Sequence, residues 1–159
     1  MRRRPLPLLP LLLLAALGAC GGKPPPPPPP PTVVSLTLKA AADVNPDASG
    51  AAKPVRVRVL QLASGRSLPE VDFFALDKDP AKALGRDLKG VEELVLAPGG
   101  TQVWQAKLAD EVKVVGVVAA YQRIAEVQWR AWKEVPRNAT TLLEARLDAG
   151  GVKLAEAAP

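Results

Sequence analysis

The chain contains no histidine, and only one cysteine among its 159 residues. Without histidine the commonest general base and the commonest metal ligand are both missing, and one cysteine allows neither an internal disulfide nor a cysteine-built metal site. No S-x-x-K or G-x-S-x-G signature is present. The chemistry left open would rest on carboxylates such as Glu70 and Asp72, which stand in no recognisable catalytic pattern, so the expectation is a protein that is not an enzyme and holds no cofactor or metal. Aromatic residues are scarce as well: three tryptophans, two phenylalanines and one tyrosine. An alternative role in binding a small molecule or a cell-wall glycan would need aromatics around a concavity. Trp104, Trp129, Trp132 and Tyr121 are the available ones, and all fall within strand patterns where core packing accounts for them.

No apolar run is long enough to cross a bilayer, which takes roughly 20 residues. The longest run near the start covers the 12 residues from Leu6 to Leu17, follows Arg2, Arg3 and Arg4, and is broken by Pro7 and Pro10. Residues 1–19 therefore read as a secretory signal peptide. Leu17-Gly18-Ala19-Cys20 resembles a bacterial lipobox, which implies that Cys20 becomes the acylated first residue of the mature chain. A single buried acyl chain, at about 0.8 kcal/mol per methylene, holds a protein only reversibly, so stable attachment needs more than one anchoring signal. Gly21 stands where an aspartate would favour inner-membrane retention, and the resemblance thus implies the periplasmic face of the outer membrane. Removal of residues 1–19 takes away three arginines, and the 21 basic and 16 acidic residues become 18 and 16, a net charge of +2. That balance gives no support for nucleic-acid binding.

Eight consecutive prolines, residues 24–31, follow the anchor. They lack amide donors and favour an extended polyproline II rod of roughly 25 Å, here read with Cys20 as a linker spanning residues 20–31. From Thr32 the composition turns to strand type. Val34, Leu36, Leu38 and Ala40 alternate with Ser35, Thr37 and Lys39, the period of a strand with one buried face. A loop rich in Asp, Asn, Pro, Ser and Gly follows, and Val55, Val57 and Val59 then alternate with Arg56 and Arg58 after Pro54. Ser67 and Glu70 form a capping-box pattern that predicts a helix start there, with Val71, Phe74 and Ala75 sharing a face and Phe73 and Phe74 pinning the insert to the core. Pro80 is expected to begin a second short helix. Strand signals return at 93–97 and 101–108. The run from Val112 to Tyr121 predicts a central strand covered on both faces. A strand holding Trp129 and Trp132 comes next, then strands at 140–147 and 152–154 joined by the tight turn Asp148-Ala149-Gly150-Gly151. Seven or eight short strands separated by turns predict an all-β, antiparallel β-sandwich over residues 32–159, with a small helical insert near residues 67–88.

The segments Pro54-Val55-Arg56-Val57-Arg58-Val59-Leu60-Gln61-Leu62, Asp72-Phe73-Phe74-Ala75-Leu76, Gly116-Val117-Val118-Ala119-Ala120-Tyr121 and Trp129-Arg130, in that order and behind a lipobox, resemble the outer-membrane lipoproteins of type VI secretion systems, the TssJ (SciN) family. The resemblance implies a transthyretin-like sandwich that anchors the secretion membrane complex by binding the periplasmic C-terminal domain of the inner-membrane protein TssM. It places that contact on the loop between the first two strands, here Asp43, Val44, Asn45, Pro46, Asp47, Ala48, Ser49 and Gly50, continuing to Lys53. Val44 is the one sizeable apolar residue there and the expected interface anchor. Deletion of residues 43–53 is expected to leave the fold intact. Gln122 stands where the family usually carries an arginine after the tyrosine.

Overall fold

The alternation beginning at Val33 becomes β1 (Thr32–Ala40), whose Val34, Leu36 and Leu38 are fully buried while Ser35 and Thr37 are only partly covered. The structure, a computed structural model, describes residues 25–157. Cys20, the signal peptide and Pro24 lie outside them. Residues 25–31 are exposed and run straight into β1.

Seven further strands follow: β2 (Val55–Leu62), β3 (Leu88–Leu96), β4 (Thr101–Leu108), β5 (Val114–Ala120), β6 (Arg130–Glu134), β7 (Thr140–Asp148) and β8 (Gly151–Glu156). They form two four-stranded sheets, ordered β4-β1-β7-β8 and β3-β2-β5-β6. Between them lies the main core, where Leu36, Leu143 and Trp104 from the first sheet face Val57, Val59 and Val117 from the second. The predicted β-sandwich is thus what the chain forms. Its neighbouring strands pair antiparallel except β1 and β7, which run parallel, with Val33 opposite Thr140 and Ala40 opposite Leu147. Parallel neighbours cannot be joined by a hairpin, and the connection from β1 to β7 passes through the entire second sheet.

β5 is buried over Val114–Ala119, as its unbroken apolar composition predicts. The reason is a second core on the outer face of its sheet. Leu60, Leu62, Val114 and Val118 are roofed there by Leu68, Phe73, Leu76 and Leu84. This roof contains the short helices α1 (Phe73–Lys78) and α2 (Pro80–Leu84). A Cβ on Gly116 would stand 3.1 Å from Leu68 Cδ2, so a side chain there would push the roof away.

The roof begins later than the capping-box pattern predicts. Ser67 starts no helix; its hydroxyl donates instead to Asp87 Oδ2 at 2.6 Å, and Asp72 caps α1 by accepting from the Ala75 amide at 3.0 Å. The shift in start rotates the apolar face: Phe73 and Leu76 are buried, whereas Phe74 is 67% exposed and pins nothing. Pro80 opens α2 as expected, with Asp79 as its cap. β3 starts at Leu88, five residues ahead of the predicted strand.

Two further contacts fasten the roof. Arg56 and Arg58 share Asp77 and Glu93 in four ion pairs at 2.6–3.3 Å. Arg130, 4.4 Å above the Trp129 ring, donates to the carbonyls of Val71 and Pro69 at 2.6 and 2.5 Å.

Candidate functional site

β1 fixes the two ends of the sandwich. At its start, the Asn138 amide donates to Thr32 Oγ1 at 2.8 Å and the Val33 amide to the Ala139 carbonyl, so the proline run leaves the domain beside the β6–β7 connection. At its finish, Ala40 donates to Gly100 and Ala41 to Leu147. The β1–β2 loop, residues 41–54, therefore emerges at the far end, about 30 Å away for a strand of nine residues.

Four connections converge at that far end: the β1–β2 loop, the β5–β6 connection (residues 121–129), the β7–β8 turn, and the β3–β4 turn (residues 97–100), whose Gly99 amide donates to the Ala41 carbonyl. Asn45 ties the first two together. It is 4% exposed, its Nδ2 donates to the Pro54 carbonyl and its Oδ1 accepts from the Gln122 amide, both at 2.8 Å. Its φ of +49° lies in the left-handed region that asparagine tolerates better than most residues. Gln128 ties the second to the third, donating to Gly150 and accepting from Val152 at 2.7 Å. A Cβ on Gly151 would lie 2.2 Å from the Gln128 carbonyl oxygen, and its φ is +126°, so only glycine fits. The predicted turn forms as a two-residue hairpin, with Asp148 Oδ1 accepting from the Gly150 amide at 2.8 Å.

The tip of the first loop is organised by Asp47. Its Oδ1 accepts from the Ser49 amide and hydroxyl and from the Ala51 amide at 2.6–3.0 Å, and its Oδ2 pairs with Lys53 at 3.1 Å. The Ser49 hydroxyl first, then Lys53 and the Ala51 amide, hold this carboxyl far below the usual carboxylate range.

The expected binding residues thus separate into two groups. Asp43, Ala48, Ser49 and Gly50 are exposed, and Pro46 and Asp47 are half-buried. Val44 is fully buried and belongs to the main core, so it cannot serve as an interface anchor. Its amide and carbonyl are bonded to Ala41 and Lys53, which turns its side chain inward. Because Val44 and Asn45 are structural, deletion of residues 43–53 would open the core and break the joint to Gln122, contrary to the sequence expectation.

Sequence reasoning missed what lies beneath the tip. A small pocket of about 80 Å³ is enclosed by Asn45 and Pro46, Tyr121, the Arg123–Glu126 ion pair and Ala149. Tyr121 is 5% exposed and its hydroxyl has no hydrogen-bond partner among the described residues. Burial first, then the negative charges of Asp148 and Asp43, push that hydroxyl well above its ordinary pKa, so it stays protonated. A lone tyrosine closing an apolar strand was the available signal, since its polar tip needs a destination.

The other aromatics divide in the same way. Trp104 is buried in the sandwich, and Trp129 packs edge-on against Phe73 at 5.2 Å. Trp132 is 39% exposed. A cleft of about 550 Å³ at the opposite end is lined by residues such as Arg66, Lys113 and Arg137 and by no aromatic side chain.

In class, this is a β-sandwich that displays an exposed loop tip on buried supports. The family model for type VI secretion lipoproteins (VasD, EvfM and TssJ) matches residues 32–150. The crystal structure of the type VI secretion lipoprotein TssJ1 from Pseudomonas aeruginosa is 32% identical, with a TM-score of 0.78 over 82% of this chain and 99% of that one. A chain of a type VI membrane complex is 25% identical, with a TM-score of 0.64 over 77% of this chain and 97% of its own. A chain in the structure described as the TssM C-terminal domain from EAEC aligns at 24% identity and a TM-score of 0.62, over 77% and 97%, a likeness of fold. Among curated proteins none matches. The chain belongs to the type VI secretion lipoprotein family, as its strand and aromatic motifs indicated.

Proposed function

We propose that this lipoprotein is anchored through acylated Cys20 in the outer membrane, on its periplasmic face, and that its loop end binds the periplasmic C-terminal domain of TssM. Binding is then the whole activity, and the membrane complex is held to the outer membrane without chemistry at the contact. The observation that carries this reading is the placement of the proline run and the β1–β2 loop at opposite ends of one strand. An anchor at one end points the tip away from the lipid and towards a partner rooted across the periplasm. The rod and β1 together reach roughly 55 Å at about 3.1 and 3.3 Å per residue. Support also comes from relatives of the same fold, one described as part of a type VI membrane complex and one found in a structure described by the TssM C-terminal domain.

The test replaces Asp43 by lysine and Ala48 by glutamate and measures capture of the TssM periplasmic domain by the acylated protein. The expected result is a loss of affinity of at least tenfold with an unchanged thermal midpoint, because both side chains face solvent. Undiminished capture moves the interface off the tip. In the same assay Cys20→Ser should retain capture while leaving the membrane fraction; continued membrane extraction refutes the anchor.

A further inference from the structure

At the end of the sandwich opposite the loop tip, three connections wall one cleft. Arg66 comes from the β2–α1 connection (residues 63–72), Lys113 from the β4–β5 connection (109–113) and Arg137 from the β6–β7 connection (135–139), with Glu134 at the end of β6 beside them. The same β6–β7 connection receives the tether. Asn138, the neighbour of Arg137, donates its amide to Thr32 Oγ1, and Thr32 follows the last proline of the run. The cleft therefore lies where the chain arrives from Cys20. Its volume of about 550 Å³ falls in the range of roughly 300–1,000 Å³ that holds small ligands.

The charges of its lining are unbalanced. Arg66, Lys113 and Arg137 stand against one carboxylate, that of Glu134. Asp110, outside the lining, takes part of the Arg137 charge at 3.7 Å, whereas Arg66 and Lys113 are exposed and have no ion pair among the described residues. The loop end differs: there Lys53, Arg123 and Lys153 are each matched, by Asp47, Glu126 and Asp148. Two guanidinium forks and an ammonium suit an anion with several oxygens, and phosphate above all, which arginine meets through two parallel bonds. What supplies the phosphate follows from the tether. A chain that starts at an acylated Cys20 keeps this end within a linker's length of a phospholipid leaflet, and a tethered site meets its ligand at the high effective concentration of an intramolecular encounter.

We infer that the cleft walled by Arg66, Lys113 and Arg137 binds the phosphate of an anionic phospholipid head group in the leaflet that holds the anchor. The inference rests on the anchoring part of the reading above and adds a second contact: the acyl chains hold the polypeptide, and the cleft orients the domain. Occupied, it draws the domain back to the lipid, and the reach falls by up to the roughly 25 Å of the proline rod. Vacated, it leaves the domain at full extension.

The experiment inserts the acylated protein into phosphatidylcholine vesicles with and without phosphatidylglycerol. Mass spectrometry follows how fast an amine-reactive reagent modifies Lys113, with Lys153 at the loop end as the reference. The expected result is modification of Lys113 slowed by about threefold or more when phosphatidylglycerol is present, the scale of one basic side chain at an anionic surface. Lys153 is unchanged, and the slowing fades as salt is raised. Arg66→Gln combined with Arg137→Gln abolishes the slowing at an unchanged thermal midpoint, and Glu134→Gln deepens it. Equal rates in the two vesicles, or slowing that survives the double substitution, overturn the inference while the anchor stands. Inorganic phosphate that slows Lys113 as much on phosphatidylcholine alone assigns the cleft to a soluble anion and overturns it too. A purified protein that carries no acyl chain and stays off both vesicles removes the anchor, and this inference falls with it.

Discussion

Asp47 and Asp87 each gather a turn around one carboxylate, and the two turns differ in what lies beneath them. Asp87 accepts from the amides of Ser64, Gly65 and Ser67 and from the hydroxyls of Ser64 and Ser67, at 2.6–3.4 Å. Its turn sits directly on the roof core, where a Cβ on Gly65 would meet Val114 at 3.0 Å, and it leads into the buried Leu68. Asp47 makes a similar set of bonds at a tip whose residues 48–51 face water. The buried part of that loop is displaced to Val44 and Asn45, a few residues earlier. One carboxylate therefore closes a structural joint, and the other shapes a surface whose foundations lie elsewhere. A loop can present exposed residues in a fixed form when its order comes from buried neighbours rather than from its tip.

The sharpest way to break this contrast is at the foundation. Asn45→Ala removes bonds to the Pro54 carbonyl and the Gln122 amide, opens the joint between the two connections, and places alanine in a left-handed conformation. A loss of about 3 kcal/mol is expected in chemical denaturation; an effect near zero would mean that the loop is held by its tip after all.

Next in size is the pair of carboxylate removals. Asp87→Ala should cost about 2 kcal/mol, the scale of a few hydrogen bonds lost from a half-covered turn. Asp47→Ala should lower the unfolding midpoint by less than half as much, because water screens its bonds at the tip, while the Ser49 and Ala51 amides exchange faster with deuterated solvent. Equal midpoints for the two variants would erase the distinction.

The smallest effect is in pH. Burial pulls the Asp87 carboxyl upward, and the bonds from Ser67 and Ser64 outweigh it and hold the group below the usual carboxylate range. A depressed folded value means a contribution that is complete above the unfolded pKa of about 3.9 and is lost as pH falls through the folded value. The midpoint gap between the unaltered chain and Asp87→Ala should be constant from neutral pH to about 5 and narrow below about 4. For Asp47, held low by Ser49 and Lys53, the sign is the same, but screening by water at the exposed tip makes the midpoint change smaller than for Asp87, and acidification should appear chiefly in amide exchange at the tip.

What could be read from the sequence follows from the range over which each signal acts. The alternation of β1, the twin coverage of β5, the hairpin at Asp148 and the Pro80 helix start are local patterns, and each is found as read. The misreadings involve a distant partner. Ser67 and Glu70 form a capping pattern in sequence, but Asp87, twenty residues on, takes the Ser67 hydroxyl. Val44 sits among turn formers, and only the packing of both sheets over it makes it core. Tyr121 reads as the end of a strand; its pocket exists because two other connections close against it. The family motifs identified the fold because strand order survives such local uncertainty, whereas the contact surface depends on which loop atoms end up outside.

The position of β1 also determines how the domain would bear load. The chain from the prolines feeds a strand flanked on both sides, by β4 along one edge and β7 along the other. Tension between that end and the far loop runs along the strand axis, across hydrogen bonds that lie crosswise to it. Both ladders would have to slip in shear at once, instead of unzipping one rung at a time as an edge strand would. The domain is strongest along the line on which a tether would pull it.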